Sequence, residues 1–170
     1  SSNGQQVSVS NASGTASAPP ASIAAGGTGD GWDVFFSPDN TRVYNVTHWN
    51  GPSFDCHFRN ALTINGTAYA SGTRCPGFPV SVPGGTTMWK QNGFADPTTG
   101  NLFIPVQQVT PSLGLAYYCY SVSGTGVSAC ANPYTLVATG PYPFMSVAIN
   151  SDIYTIASNG KLYCFNMTSA

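Results

Sequence analysis

Few side chains in this 170-residue chain can perform acid–base chemistry, because it has no glutamate and only two histidines. A carboxylate pair could hydrolyse a glycosidic bond, and the chain offers six acids: Asp30, Asp33, Asp39, Asp55, Asp96 and Asp152. Three of them, Asp39, Asp96 and Asp152, recur at similar turn sequences, where Asp is favoured because its side chain bonds the local backbone. We therefore predict turn-forming aspartates rather than a catalytic pair.

The two histidines, His48 and His57, also fit structural roles better than catalysis. The chain lacks the G-x-S-x-G elbow of serine hydrolases, and its cysteines lack the C-x-x-C spacing of zinc sites. The stretch "GGTGDGWD" does not meet the EF-hand spacing for calcium. We expect no enzyme, no cofactor and no metal site. Trp49, beside His48 in "NVTHWN", is the candidate ligand contact, because an exposed aromatic ring can stack on a sugar.

Five cysteines can form two disulfides and leave one over. The stretch "YYCYSVSGTGVSAC" is typical of a β-hairpin, which brings Cys119 and Cys130 within disulfide range. We predict a disulfide between these two cysteines, and a second one of the same kind between Cys56 and Cys75 across a longer loop. Cys164 is then a free or externally paired thiol.

The composition excludes some partners and favours others. With 6% charged residues and a net charge of −1, the chain lacks the positive charge that binding to nucleic acid or anionic lipid requires. No apolar run approaches the ~20 residues of a membrane span. Asn-x-Ser/Thr glycosylation signals occur at Asn11, Asn45, Asn65 and Asn166. Together with the cysteines, they predict a secreted, extracellular glycoprotein whose N-glycans supply the hydration that charges do not.

Three stretches share one order of apolar strand, Asp/Asn/Pro turn, strand, loop and strand with cysteine. They are "FFSPDNTRVYNVTHWNGPSFDCHF", "GFADPTTGNLFIPVQQVTPSLGLAYYCYS" and "VAINSDIYTIASNGKLYCFN". Aligning Phe36, Phe94 and Val147 gives a period of about 55 residues, in the range of β-repeat arrays. The segments "FPVSVPGGTTMW" and "YTLVATGPYPFM" follow the second cysteines, and "ASIAAGGTGDGW" repeats them near the N-terminus. We predict an all-β fold of about three antiparallel, blade-like repeats in permuted order.

The phrases "SPD" followed by "VY", and "NGKLYCFN", resemble blades of secreted β-propellers of the NHL, YVTN and quinoprotein-like group. The resemblance covers most of residues 22–166 and carries no catalytic motif. It implies four short strands per unit. Propellers close with 4–8 blades, whereas this chain has material for three.

The chain divides into an extended low-complexity tail, residues 1–21, and a β-repeat domain, residues 22–170. The tail has too little apolar surface to order itself, so we expect it to act as a donor strand on an exposed strand edge. The assembly residues are then Val7 and Val9 in the tail, and Ile153 and Tyr163 at the edge.

These features predict a structural protomer that associates with itself in an extracellular filament or sheath. Its copies are joined head to tail by the N-terminal segment. The alternative is a secreted, lectin-like propeller module that binds carbohydrate through Trp49 and His48.

Overall fold

A computed structural model describes residues 31–47, 53–83, 86–87, 93–108, 114–140 and 143–169. In these ranges the regular structure consists of β-strands, and every strand pairing is antiparallel. The predicted all-β class is therefore confirmed. The strands form three larger sheets and one small hairpin.

Sheet 1 contains four strands in the order β1-β2-β3-β6. Between the last two strands of this sheet, the chain forms a hairpin of β4 and β5. Asn65 and Gly66 form the turn of this hairpin, and both have positive φ. Asn-Gly is the usual sequence of such two-residue turns. The strands are β1 (Gly31–Phe36), β2 (Arg42–Thr47), β3 (Ser53–Phe58), β4 (Leu62–Ile64), β5 (Thr67–Tyr69) and β6 (Val80–Ser81).

Sheets 2 and 3 follow along the chain. Sheet 2 comprises β7 (Thr86–Thr87), β8 (Phe94–Ala95), β9 (Leu102–Gln108), β10 (Gly114–Val122) and β11 (Val127–Thr139). Both β7 and β8 pair with β9, which pairs in turn with β10, and β10 pairs with β11. Sheet 3 comprises β12 (Pro143–Ile149), β13 (Asp152–Ala157) and β14 (Leu162–Asn166), in that order.

Aspartates organise the turns in sheets 1 and 2, as the sequence predicts. The Asp39 carboxylate accepts a hydrogen bond from the Thr41 backbone N–H at 3.0 Å, and Asp96 accepts from the N–H groups of Thr98 and Thr99. Asp152 differs, because it opens β13 and accepts from the Asn166 side chain at 2.7 Å. For Asp152 the turn prediction is thus wrong in detail, since a neighbouring strand supplies its partner.

One row of side chains recurs in each sheet and ends on a cysteine, across β1-β2-β3 in sheet 1, β8-β9-β10 in sheet 2 and β12-β13-β14 in sheet 3. The rows are Phe35–Tyr44–Cys56, Phe94–Phe103–Cys119 and Val147–Tyr154–Cys164. The sequence alignment assigns Phe36 to this row, and this assignment is wrong by one residue. Successive side chains of a strand point to opposite faces, and the register pairs Phe35, not Phe36, with Tyr44.

We call the face that carries the third-strand cysteine the front face of a sheet, and the opposite face its back face. The front of sheet 1 packs on the back of sheet 2, around Phe54, Cys56, Ile104 and Ala116. The front of sheet 2 packs on the back of sheet 3, around Phe103, Tyr117, Ile153 and Phe165. The three sheets therefore stack in one direction, each front against the next back.

Candidate functional site

The front face of sheet 3 carries an exposed apolar cluster. It consists of Met145, Val147, Ile149, Ile156 and Leu162, each between 48% and 66% exposed. Pairing places Met145 opposite Ile156, and Ile156 opposite Leu162, so these side chains cross all three strands on one face. We call these five residues the front patch. Large contiguous apolar patches are a common feature of protein interaction surfaces.

The residues equivalent to this face are buried in the other two sheets. In sheet 1, Phe35, Tyr44 and Cys56 are 8%, 1% and 0% exposed. The row of sheet 2 is buried as well, whereas in sheet 3 Val147 and Cys164 are exposed. The same row is therefore buried in sheets 1 and 2 and exposed in sheet 3. Another sheet packs on the front face of each of the first two sheets, whereas none of the described residues covers the front face of sheet 3.

A specific ring contact recurs at both sheet–sheet joints. Phe54, two residues before Cys56, lies 4.7 Å from Tyr120, one residue after Cys119, measured between ring centroids. Tyr117, two residues before Cys119, likewise stacks on Phe165, one residue after Cys164, at 5.3 Å. In sheet 3 the position two residues before the cysteine holds Leu162, which is exposed. The two sheet–sheet contacts therefore use equivalent residues. Leu162 occupies the equivalent position on the uncovered face of sheet 3.

Hydrogen bonds reinforce the joint between sheets 2 and 3. The hydroxyl groups of Tyr117 and Thr155 lie 2.9 Å apart in the buried core, and burial raises the pKa of Tyr117. Ser151 donates to the Asp96 carboxylate at 2.6 Å. Burial alone would raise the pKa of Asp96, but hydrogen bonds from Ser151, Thr99 and the turn backbone outweigh it and hold the pKa below its usual value. Asp96 thus joins a turn of sheet 2 to a turn of sheet 3.

The back face of sheet 1 lies at the other end of the stack and is partly apolar. Val34 and Phe36 on β1 are each about half exposed, and the Arg59 guanidinium lies 5.6 Å from the Phe36 ring centroid. Beside them, the Asn45 side-chain oxygen is buried without a hydrogen-bond partner among the described residues. This face therefore offers both apolar surface and an unsatisfied acceptor.

A buried polar cluster occupies the β3 side of the same back face. Asp55 forms an ion pair with Arg74 at 3.0 Å and accepts from the Cys56 backbone N–H at 2.8 Å. His57 is buried nearby. Burial disfavours its charged form and lowers its pKa, an effect that Asp55 opposes and Arg74 assists. Asp55, Arg74 and His57 thus form a small polar group on this face, in which the ion pair compensates the charge of the buried Asp55 carboxylate.

The two predicted cysteine pairs lie at disulfide distance. Cα–Cα separations are 5.3 Å for Cys56–Cys75 and 5.5 Å for Cys119–Cys130. Both bonds start from the cysteine of a third strand. Cys164 is the corresponding residue of sheet 3 and is an exposed free thiol. It lies on the same face as the front patch, opposite Tyr154.

The glycosylation signals differ in their surroundings. Asn65 is exposed in the two-residue turn between β4 and β5. Asn45 is half-buried on β2. Asn166 is exposed, but its amide N–H donates to Asp152, and its oxygen accepts from the backbone N–H groups of Thr168 and Ser169. Asn65 alone of these three combines exposure with a turn backbone.

Both predicted assembly residues of the third sheet point into their own chain. Ile153 is fully buried on the central strand β13, and the prediction that it contacts a partner is therefore wrong. Tyr163 lies on the edge strand β14, where its half-buried side chain packs against the core between sheets 2 and 3. Sequence reasoning chose the wrong face, because a strand with apolar residues on both faces has no polar side to identify its outer surface.

The other predicted contacts lie outside the described residues. They are Val7, Val9, Asn11, His48 and Trp49. The front patch was not predicted, although "MSVAI" contains its signal. Large apolar side chains alternate there with Ser146 and Ala148, so the bulkier face of β12 is the one turned away from the core.

Neither a protein-family model nor a curated protein matches the sequence of this chain. Within the described ranges, no three metal-ligating side chains gather into a site. The same part of the chain contains no helix of the length and hydropathy that crossing a bilayer requires.

Proposed function

We propose that this chain is a structural subunit of an extracellular glycoprotein assembly, made of propeller-blade-like sheets and extended head to tail by further copies. The observation that carries the proposal is the exposed front patch on sheet 3. Burial of apolar surface is the main driving force of association, and the equivalent faces of sheets 1 and 2 are already buried by a following sheet.

The strand order supports the blade interpretation. Sheet 1 has four strands in antiparallel succession, β1-β2-β3-β6, and the five-stranded sheet 2 contains the equivalent run β8-β9-β10-β11, with β7 as a further strand beside β9. Four-stranded antiparallel sheets are the repeating unit of β-propellers. Sheet 3 follows the same order with β12, β13 and β14 and lacks a fourth strand in the described part of the chain.

We assign that fourth strand to the N-terminal segment of another copy. The segments "FPVSVPGGTTMW" and "YTLVATGPYPFM" contain β6 and the end of β11, and these strands pair with the third strands β3 and β10. The related sequence "ASIAAGGTGDGW" stands near the N-terminus. An unpaired strand edge such as that of β14 is a natural site for strand addition.

Two observations support an extracellular setting for this assembly. Two disulfide bonds persist best in an oxidising compartment. The Asn65 signal occupies an exposed turn, the kind of surface position at which N-glycans are attached. Glycans would provide hydration to a chain with only 6% charged residues.

The test is the mass of the purified chain as a function of concentration. We expect light scattering to show growth beyond the monomer, and negative-stain microscopy to show linear or ring-shaped particles. Deleting residues 1–25, which removes the "ASIAA" portion of the donor strand, should abolish them. Polymers that persist after the deletion would exclude the donor strand, and a wild-type chain that stays monomeric at all concentrations would exclude self-assembly itself.

A further inference from the structure

We infer that the front patch of sheet 3 docks on the back face of sheet 1 of a second copy, around Val34 and Phe36. This inference rests on the proposed self-assembly and specifies its surfaces. It makes the contact between copies a continuation of the two joints within the chain, with each front face on the next back face.

The direction of stacking is the first argument. Sheet 1 presents its front to the back of sheet 2, and sheet 2 presents its front to the back of sheet 3. The recurring ring contacts, Phe54 on Tyr120 and Tyr117 on Phe165, show that both joints use equivalent residues. A third joint of this kind requires the back face of another sheet, and the back face of sheet 1 is the one that no sheet covers among the described residues.

Chain connectivity is the second argument. After β6, the fourth strand of sheet 1, the chain continues into sheet 2, which lies on the front of sheet 1. After β11, the fourth strand of sheet 2, it continues into sheet 3, which lies on the front of sheet 2. A copy that donates its N-terminal strand to β14 would continue into its own sheet 1. The same rule then brings that sheet 1 onto the front patch.

The two end faces differ, which favours a heterologous contact. The front patch is apolar across three strands, whereas the back face of sheet 1 is apolar on β1 and polar at Asp55, His57 and Arg74. Heterologous contacts form rings when the rotation closes and filaments when it does not. Two chains would supply six sheets, within the range in which propellers close.

The experiment uses two variants of the full chain, each with one altered face. The front variant carries Val147→Asp and Ile156→Asp, and the back variant carries Val34→Asp and Phe36→Asp. All four side chains are about half exposed, so the fold tolerates the charges. Leu136→Asp is the matched control, because Leu136 is a similarly exposed apolar residue on β11, outside both faces.

Each face variant alone should stay monomeric at the concentrations at which the wild type assembles, so that its half-assembly concentration is raised about tenfold or more, while the control assembles like the wild type. Mixing the two variants should give dimers and no longer species, because each retains the face that the other lacks. A bifunctional maleimide should also link Cys164 to the thiol introduced by Val34→Cys in a different molecule, as mass spectrometry of the linked peptides would show.

A back variant that assembles like the wild type would overturn the inference and leave self-assembly intact, since front patches would then pair with each other. A front variant that assembles normally would overturn it as well. A monomeric wild type would instead reject the proposed function. Near-ultraviolet circular dichroism of each variant verifies that loss of assembly does not reflect unfolding.

Discussion

Sheet 1 and sheet 3 carry equivalent rows of side chains, both with a tyrosine paired to a cysteine, in opposite surroundings. Tyr44 pairs with Cys56 under the cover of sheet 2, while Tyr154 pairs with Cys164 on a face that is open to solvent. Strand order, register and the position of the cysteine are alike. The next sheet in the stack, and not the strand itself, therefore determines whether the side chains of the row are buried or exposed.

The same comparison indicates what association would contribute. Burying one large apolar side chain completely contributes about 1.5–3 kcal/mol, and the front patch has five such side chains exposed. Association also costs several kcal/mol of lost rotational and translational freedom. The front faces of sheets 1 and 2 are buried without this loss of freedom, because the sheets that cover them belong to the same chain.

The largest expected effect comes from removing the ring of Tyr44, the central residue of the row in sheet 1, and Tyr154 in sheet 3 is its matched comparison. Tyr44 is buried and stacks on Phe35 with ring centroids 5.0 Å apart. Tyr44→Ala should reduce the free energy of unfolding by about 3–5 kcal/mol, because it leaves a cavity between sheets 1 and 2. Tyr154→Ala, at the half-buried equivalent position, should cost about 1 kcal/mol in the monomer.

Urea unfolding at protein concentrations below assembly measures both values. The matched pair isolates the covering sheet, because residue type and register are the same at the two positions. Equal losses would show that sheet 2 does not cover Tyr44 as described. A Tyr154→Ala loss that grows with protein concentration would show that a second copy buries the row of sheet 3.

Local patterns predicted most of what lies within one sheet. Alternating apolar residues gave the strands, Asn65–Gly66 marks a tight turn, and the spacing of Cys119 and Cys130 predicted a hairpin with its disulfide. Each of these depends on residues close together in the sequence. Such features are encoded locally, so one sequence is enough to find them.

The faces of the sheets were not predictable in the same way. Ile153 and Phe36 were assigned to the wrong side because both surfaces of β13 and β1 carry apolar residues. Which surface is covered depends on where the next sheet packs, and that contact joins residues far apart in the sequence, such as Phe54 with Tyr120 and Tyr117 with Phe165. The front patch escaped prediction for the same reason, since exposed and buried apolar residues look alike until the stack is known.

A smaller effect is expected at the turn aspartates of sheets 1 and 2. Asp96 is buried and bonds Ser151 of the next sheet, whereas Asp39 is exposed and bonds only its own turn. Asp96→Asn should cost about 1–3 kcal/mol at neutral pH, because hydrogen bonds to a charged acceptor are lost. Asp39→Asn should cost less.

The acid dependence follows from the lowered pKa of Asp96. A carboxyl group whose folded pKa lies below its unfolded value of about 3.9 stabilises the fold above that pH. Its contribution is lost as the pH falls through the folded pKa. Wild-type stability should therefore decline below about pH 4, and Asp96→Asn should decline less over that range. Parallel acid profiles for the two proteins would contradict this role.

The smallest effect on stability is expected at the glycosylation signals. One of them, Asn45, lies on the back face of sheet 1 and therefore tests whether that face is covered. In a secretory eukaryotic host we expect a glycan on Asn65, in its exposed turn, and none on Asn45, whose side-chain oxygen is buried on the back face of sheet 1. Thr67→Ala and Thr47→Ala remove the two signals without replacing Asn65, whose φ of 47° suits asparagine. Only Thr67→Ala should reduce the mass, and its unfolding free energy should change by less than about 0.5 kcal/mol. A glycan found on Asn45 in assembled protein would stand where the second copy docks, and the equivalence between the back face of sheet 1 and the covered back faces of sheets 2 and 3 would then fail.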